Sequence, residues 1–401
     1  MSVTTAKIGE VARQVRGVTY AGGEAIQEPR DGYLPLMRAN NITEHGLSTA
    51  NVVFVPKIRV SPAQMLRSGD ILVATSSGSL SVVGKAARVK ADEQATFGAF
   101  CKVVRPGERV DPGYLSHFFQ TDHYRRRVSA LAAGANINNL RNEHIDDLEL
   151  ALLPLADQRR IAAILDKADA IRARRRVGLA DADALARATF LNLFGDPVSN
   201  PMAWPEMRLD EIADVRSGIT KGRKPSSAPA RPVPYMRVAN VQDSHLDLSE
   251  IKTIDATEAE IARFALQAGD ILLTEGGDPD KLGRGAVWAG ELAECIHQNH
   301  IFMVRVRDAA AMPPAFLSAL IGSARGKRYF LKNAKQTTGI ASINRTQLAA
   351  FPALVPDPDV LTRWAVANRG VERARSGLIT ALADADALYA SLATRAFRGE
   401  L

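Results

Sequence analysis

Met37-Arg38-Ala39-Asn40-Asn41-Ile42 returns as Met236-Arg237-Val238-Ala239-Asn240-Val241, and Ser68-Gly69-Asp70-Ile71-Leu72 returns as Ala268-Gly269-Asp270-Ile271-Leu272. Ala180-Asp181-Ala182-Asp183-Ala184-Leu185 recurs unchanged from Ala383 to Leu388. The offset drifts only between about 199 and 203 residues, so each copy takes roughly half of the 401-residue chain. A short-period array would stack into a solenoid; one duplication of this size predicts a pseudo-two-fold pair. Two similar but unequal modules suit a molecule that grips two similar but unequal targets.

Each copy reads as an α+β domain followed by a long helix. Lys7-Ile8-Gly9-Glu10-Val11-Ala12 opens the first and Arg208-Leu209-Asp210-Glu211-Ile212-Ala213 the second. Val52 to Val55, Asp70 to Ala74, Ser81 to Val83 and Phe100 to Val104 are short, rich in branched residues and bounded by Gly, Pro and Ser, which predicts strands. Helices are expected from Tyr114 to Leu131 and from Phe316 to Lys332, entered through Asp111-Pro112 and Pro313-Pro314. Proline at a helix entrance gives up no hydrogen bond and presets the dihedral.

The long helices carry the clearest periodicity. Trp364, Ala367, Val371, Ala374, Leu378, Ala381, Ala385, Leu388 and Leu392 alternate steps of three and four, a heptad seam. The first copy offers Ile161, Ile164, Ala168, Ile171, Arg175, Gly178, Ala182, Leu185 and Thr189, broken in its middle. Alanine-rich seams let two backbones approach, and each helix is the other's obvious partner. Connectivity and pseudo-symmetry make the pair antiparallel. About 35 helical residues at a rise of 1.5 Å predict a spacer of roughly 50 Å; ordinary core helices of one large domain are the alternative.

Composition is that of an ordinary globular protein, 46% hydrophobic and 24% charged, with a net charge of +7. A pI near 9.5 fits a polyanionic partner such as nucleic acid. Cys101 and Cys295, one per half in apolar runs, form no disulfide framework and suggest a reducing compartment. The opening residues lack a secretory pattern and no run is apolar enough for a membrane helix, so a cytoplasmic location without membrane contact is expected.

Leu153-Pro154-Leu155-Ala156-Asp157-Gln158-Arg159-Arg160-Ile161-Ala162-Ala163-Ile164-Leu165-Asp166-Lys167-Ala168-Asp169 resembles the start of the central helical region of type I restriction-modification specificity subunits. Leu193-Phe194-Gly195-Asp196-Pro197 resembles its exit. The Met-Arg…Asn segments, the Gly-Asp-Ile-Leu turns and Ile296-His297-Gln298-Asn299-His300 resemble that family's target-recognition domains. The resemblance covers essentially the whole chain. It implies two target-recognition domains, 1–153 and 197–356, separated by antiparallel coiled-coil helices at 154–196 and 357–401.

It further implies a non-catalytic subunit that reads a bipartite, asymmetric double-stranded DNA target, one half-site per domain. The partners implied are methyltransferase subunits, two of them, and restriction-translocation subunits where present. No cofactor is expected in this chain; S-adenosylmethionine would belong to the methyltransferase. Gln158, Arg159, Arg160, Arg174, Arg176 and Arg363 are the residues expected to bind partners. One departure stands out: the second helix begins Val355-Pro356-Asp357-Pro358-Asp359-Val360-Leu361-Thr362-Arg363-Trp364, without the Gln-Arg-Arg-Ile of the first. Equivalent docking of two methyltransferases is therefore in question.

Reading DNA needs hydrogen-bonding side chains at base edges and cations near phosphates. Arg38 with Asn41, and Arg237 with Asn240, supply both: arginine fits guanine O6/N7 and asparagine fits adenine N6/N7. A pair that recurs in both halves also fits a structural role at a strand end, so residues that differ between copies are the better specificity candidates. Those are the polar turns with Thr75, Ser76, Ser77 and Lys85 against Glu275 and Lys281, together with His297 and Asn299. Arg125 and Arg126, matched by Lys327 and Arg328, precede loops carrying Asn138 and Asn139, or Asn344 and Arg345, and suit phosphate contacts. The run Arg172-Ala173-Arg174-Arg175-Arg176 suits DNA between half-sites, an acidic partner, or a merely solvated face.

Catalytic signals are weak. No glycine-rich cofactor loop or Asn/Asp-Pro-Pro-aromatic motif is present, and Asn200-Pro201-Met202 is the nearest miss. Gly78 to Gly84-Lys85 has the wrong spacing for a phosphate loop. The cluster from Cys295 to His300 lacks a fourth zinc ligand, so no metal is expected. Two other classes remain open at this point, a protein-assembly scaffold and a stand-alone DNA enzyme with a divergent site.

Overall fold

The buried strand that follows each Gly-Asp turn organises its half of the molecule. The computed structural model describes residues 4–43, 46–132, 138–222, 228–337 and 340–401. In the first copy Ile71–Ala74 is buried at every position, inside an antiparallel sheet ordered Ala12–Arg16, Cys101–Pro106, Ile71–Ala74, Ala86–Arg88. The second repeats that order with Ala213–Ser217, Ile301–Val306, Ile271–Thr274 and Gly285–Val287. A three-stranded sheet accompanies each. Tyr33–Met37 lies between Thr96–Phe97 (parallel) and Val53–Pro56 (antiparallel), as Ala230–Met236 does between Ile296–His297 and Lys252–Thr257. The short sequence matches are thus marks of a duplicated topology.

The recurring aspartate explains the turn. Asp70 accepts the Arg67 N–H and receives Nε and Nη2 of Arg105, each at 2.7 Å, while Arg105 also donates to the carbonyls of Ala63 and Met65. Asp270 repeats this with Gln267 N–H and both donors of Arg305 at 2.7 Å. Gly69 and Gly269 precede them at φ +87° and +95°, where a side chain would be strained.

Four sequence expectations shift. Ser81 to Val83 is a turn rather than a strand, and Phe100 falls outside the strand that begins at Cys101. Each domain helix is broken in two: Pro112–Phe118 and Asp122–Ala132, then Pro314–Gly322 and Ala324–Asn333. Thr121 and Ser323 cause the breaks, their hydroxyls accepting the N–H groups of Tyr124 and Arg325.

The chain divides into two compact units, Met1–Ala180 with Ser376–Leu401, and Asp181–Arg375. Leu155–Phe194 and Pro358–Phe397 are 40-residue helices, about 60 Å each and longer than the sequence suggested. Within the first unit Arg160 donates to the Leu401 carbonyl, Arg172 to Asp386, and Gly178 faces Leu378. Numbers rise along one helix as they fall along the other, so the pairing is antiparallel. The helices also enter each unit's core. In the first unit Tyr389 accompanies Ile161 and Leu165, and buried His117 meets the Tyr389 hydroxyl and Asp166 at 2.8 Å each. That contact, with Arg88, holds the Asp166 carboxyl below the usual range. In the second unit the place is aromatic, Phe190, Phe194, Phe316 and Trp364 in mutual contact.

The seam needs one correction. Ile161, Trp364 and Val371 are buried, and Ile164, Leu378 and Leu392 half-buried, but Ile171, Leu185 and Leu388 are 43, 57 and 50% exposed. Along the second helix Trp364, Val371, Leu378, Ala385 and Leu392 are shielded, whereas Ala367, Ala374 and Leu388 are exposed and their neighbours Asn368, Arg375 and Tyr389 are shielded instead. Arginine and tyrosine turn inward because their stems pack while their heads find partners. Arg172 and Arg176 share Asp386 at 2.6 and 3.1 Å, and Arg375 meets Asp183 at 3.0 Å. Asp183 and Asp386 are the second aspartates of the perfect repeat, and Arg172 and Arg375 are counterparts 203 residues apart.

Removing one partner of a buried ion pair leaves an uncompensated charge. Asp70→Ala is therefore expected to lower stability by about 3–5 kcal/mol in urea denaturation, and the double replacement D70L/R105M by much less. Equal losses would show that the pair's charge is not what matters.

Candidate nucleic-acid interface

In the first unit a groove of about 490 Å³ opens between the sheet end and the segment from Asn139 to Asn142. Arg16 and Lys102 stand opposite each other in neighbouring strands and line it with Gln14, Ser76, Phe100 and Arg141. Ser76–Ser77 pairs with Asn138–Asn139, closing one wall. Lys102 donates to the Leu140 carbonyl at 3.1 Å and to Asn142 Oδ1 at 2.7 Å; burial holds its pKa below the ordinary lysine value.

Phe100 is 72% exposed, yet its backbone is fixed. Its carbonyl accepts the N–H groups of Thr75 and Ser76 and the Thr75 hydroxyl, at 2.9, 3.1 and 3.1 Å. Gly17 packs so tightly beneath this turn that a Cβ there would lie 2.1 Å from the Gly98 carbonyl oxygen; Gly218 stands likewise 1.9 Å from that of His297.

Most residues nominated from sequence are placed elsewhere. Asn41 and Asn240 are buried, each accepting a backbone N–H three residues back and donating to two carbonyls, so the structural role prevails over base reading. Arg38 and Arg237 donate to the Asn51 and Glu250 carbonyls beside them. Thr75 is buried, and Arg125 is tied to the carbonyls of Val83 and Ser81. Asn344 caps the helix that follows it, exchanging hydrogen bonds with Gln347. Only Thr75, Ser76 and Asn139 of the first copy's nominations line the groove. Ser77 and Asn138 sit beside it in the paired strands, and Asn136 and Ile137 lie outside the described residues. Lys85 is half-buried, whereas Arg126, Lys327, Arg328 and Arg345 are exposed.

Phe100, Arg16 and Lys102 were not foreseen, whereas Arg141 closes the loop from Asn136 that the sequence assigned to phosphate contacts. The signal was present in position: Phe100 stands in the turn just before the strand whose first residue, Cys101, is buried.

In the second unit His300 takes the place of Phe100, with its Nδ1 2.6 Å from Glu275 and Asn299 Nδ2 3.5 Å from its Nε2. Lys281 pairs with Asp278. Ser217 and Phe302 stand where the first copy has Arg16 and Lys102, so this counterpart carries fewer cations. His297 is buried: Nδ1 meets the Ile301 carbonyl at 2.9 Å and Nε2 has no hydrogen-bond partner among the described residues. It fills the core position of Phe97 in the first copy and cannot reach DNA. Burial pushes both cysteine thiols up to about 12. Among the described residues no cluster could hold a metal, and no helix is long and apolar enough to cross a membrane.

The type I restriction modification DNA specificity domain matches residues 5–177. The specificity subunit of the type I restriction enzyme EcoKI from Escherichia coli strain K12 is 30% identical, over 99% of this chain and 88% of that one. The chain belongs to the type I restriction-modification specificity subunits. The StySPI specificity subunit of Salmonella potsdam is also 30% identical, over 99% of this chain and 89% of its own. A solved S subunit from M. genitalium shares the fold at 13% identity, with a TM-score of 0.54 over 98% of this chain and 96% of that one. A specificity subunit is non-catalytic, which removes the stand-alone enzyme.

In this specificity subunit Gln158 is buried, and it is a structural staple rather than a docking residue. It accepts the Asp111 N–H at 2.8 Å and donates to the carbonyls of Arg109 and Leu153. Its counterpart by the repeat is Leu361, and the counterpart of Asp111 is Pro313, which has no N–H to satisfy. The Gln missing from the second helix is thus a missing staple, at a place where one of its three partners, a backbone N–H, is absent as well. Arg176 is half-buried against Asp386; Arg159, Arg160, Arg174 and Arg363 are exposed.

Burial pushes the His297 imidazole down from 6.5 to about 4. The unfolded chain takes up that proton below pH ~6.5, so the stabilisation is full above this pH. It is lost as pH falls toward 4, by up to about 3 kcal/mol. His297→Phe, which copies Phe97, should flatten the decline between pH 7 and 4.5 in urea unfolding; an unchanged slope would place the acid sensitivity elsewhere.

Proposed function

We propose that this specificity subunit directs DNA methylation to a bipartite asymmetric target, the first unit reading one half-site through the Phe100 groove and the second reading the other through the His300 turn. The observation that carries this reading is one topology bearing different chemistry at the same place. Exposed Phe100 is answered by His300, and Arg16 and Lys102 by Ser217 and a buried Phe302, so the second turn keeps neither cation. A shared frame would hold DNA backbone alike in both halves, while the unequal side chains select different bases. Exposed Arg126, Lys327, Arg328 and Arg345 suit phosphates, where they give affinity and salt dependence without sequence preference.

Two methyltransferase subunits, carrying S-adenosylmethionine, would dock along the long helices. Exposed Arg159, Arg174 and Arg363 are available there, and restriction-translocation subunits would join the same assembly. The paired helices would set the number of unread base pairs between half-sites.

Long-read adenine-methylation mapping in cells expressing this chain with its methyltransferase subunit should return a single split motif that vanishes when this chain is omitted. A motif that persists without it, or no motif despite a stable complex, would reject the reading. Inserting one heptad into each helix keeps the paired faces and adds ~10 Å, so the gap should widen by about three base pairs. An unchanged gap would remove the helices from that role.

A further inference from the structure

We infer that Phe100 is a specificity-determining residue of the first half-site and selects a thymine by apolar contact with its 5-methyl group. The inference rests on the reading of the groove as a half-site cleft.

Three observations converge on this side chain. First, its exposure is not that of a loose loop. Gly98 N–H donates to the Met37 carbonyl, Ala99 N–H to that of Val18 and Cys101 N–H to that of Gly98, while the Phe100 carbonyl holds three donors. The backbone that presents the ring therefore needs no ordering when it meets DNA. Second, the ring stands among Arg16, Lys102 and Arg141 on the wall of the groove, so phosphates drawn to those cations bring base edges to an apolar surface. Among base edges in the major groove, only thymine offers an apolar group, and phenylalanine is one of the side chains that meets it. Third, the second copy has His300 at this position, held by Glu275 at Nδ1 and with Asn299 Nδ2 3.5 Å from Nε2, so its tip is polar and hydrogen-bonding. An apolar tip and a polar tip on one frame call for different bases.

The test exchanges each thymine of the mapped first half-site for deoxyuridine, which deletes the methyl group and keeps the pairing edge. Binding is measured with the complex of this chain and its methyltransferase subunits. At one position wild-type affinity should fall about fourfold, the factor expected for one buried carbon. The Phe100→Ala complex should bind thymine and uracil there equally, and Phe100→Leu should keep part of the preference. Second-half-site substitutions and the salt dependence of binding should be the same in all three, because Phe100 neutralises no phosphate. Phe100 is exposed, so thermal unfolding of Phe100→Ala should match wild type and serves as the folding control. The inference is overturned if no uracil position matters, if the first half-site lacks thymine, or if Phe100→Ala still senses the methyl group. Failure of the wild-type complex to show any split motif would instead count against the half-site reading itself.

Discussion

A buried carboxylate answered by a forked guanidinium sits at the centre of each compact unit, and the proposed DNA-reading surface depends on it. Asp70 and Asp270 close their turns through a backbone N–H and receive two arginine donors from the neighbouring strand. The cost of burying these charges is met only when every hydrogen bond is made, so turn and strand are set in one geometry. From there the constraint passes outward. The strand after Asp70 leads to Thr75, and Thr75 and Ser76 hold the carbonyl of Phe100. A residue in contact with solvent is thereby positioned by one in contact with none.

The same economy of means runs along the long helices. The most conspicuous repeat in the sequence, Ala-Asp-Ala-Asp-Ala-Leu, places Asp183 and Asp386 to receive Arg375 and Arg172. These pairs are partly exposed, so each contributes only about 0.2–1 kcal/mol; their value is in register. Tyr389 beneath the Arg172 guanidinium, at 4.3 Å, adds a contact that the first helix lacks in Ala186. Symmetry of frame and asymmetry of contact recur at Gln158 and Leu361, where a polar staple in one copy has a leucine for its counterpart in the other.

The architecture was legible in sequence wherever it rested on pattern. Repeats, apolar strand runs, proline entrances and heptad spacing gave two α+β units and two long antiparallel helices. Part of the helix seam shifts because a count of apolar residues favours Ala374 and Leu388 over Arg375 and Tyr389, whose inward seats depend on partners elsewhere in the chain. The site was harder to see for a related reason. Arg38, Asn41, Gln158 and His297 have the residue types of a binding site, but their hydrogen bonds and burial serve the fold. Phe100 has the residue type of a core and stands outside it. Chemistry alone does not separate those cases; position does, since Phe100 stands in the turn just before the strand whose first residue, Cys101, is buried.

Duplication gives this arrangement its logic. Residues kept in both copies, Asp70 with Asp270, Arg105 with Arg305, Asn41 with Asn240, Gly17 with Gly218, belong to the frame, since each makes the same hydrogen bond or close backbone approach in its own unit. Residues that differ at equivalent exposed positions are free of that duty. Discrimination between targets is a difference of affinities, and it is most readily altered where a change leaves the fold untouched. The turn at Phe100 and His300 meets that condition, with a backbone held by hydrogen bonds that do not involve the side chain and a tip whose chemistry is open to exchange.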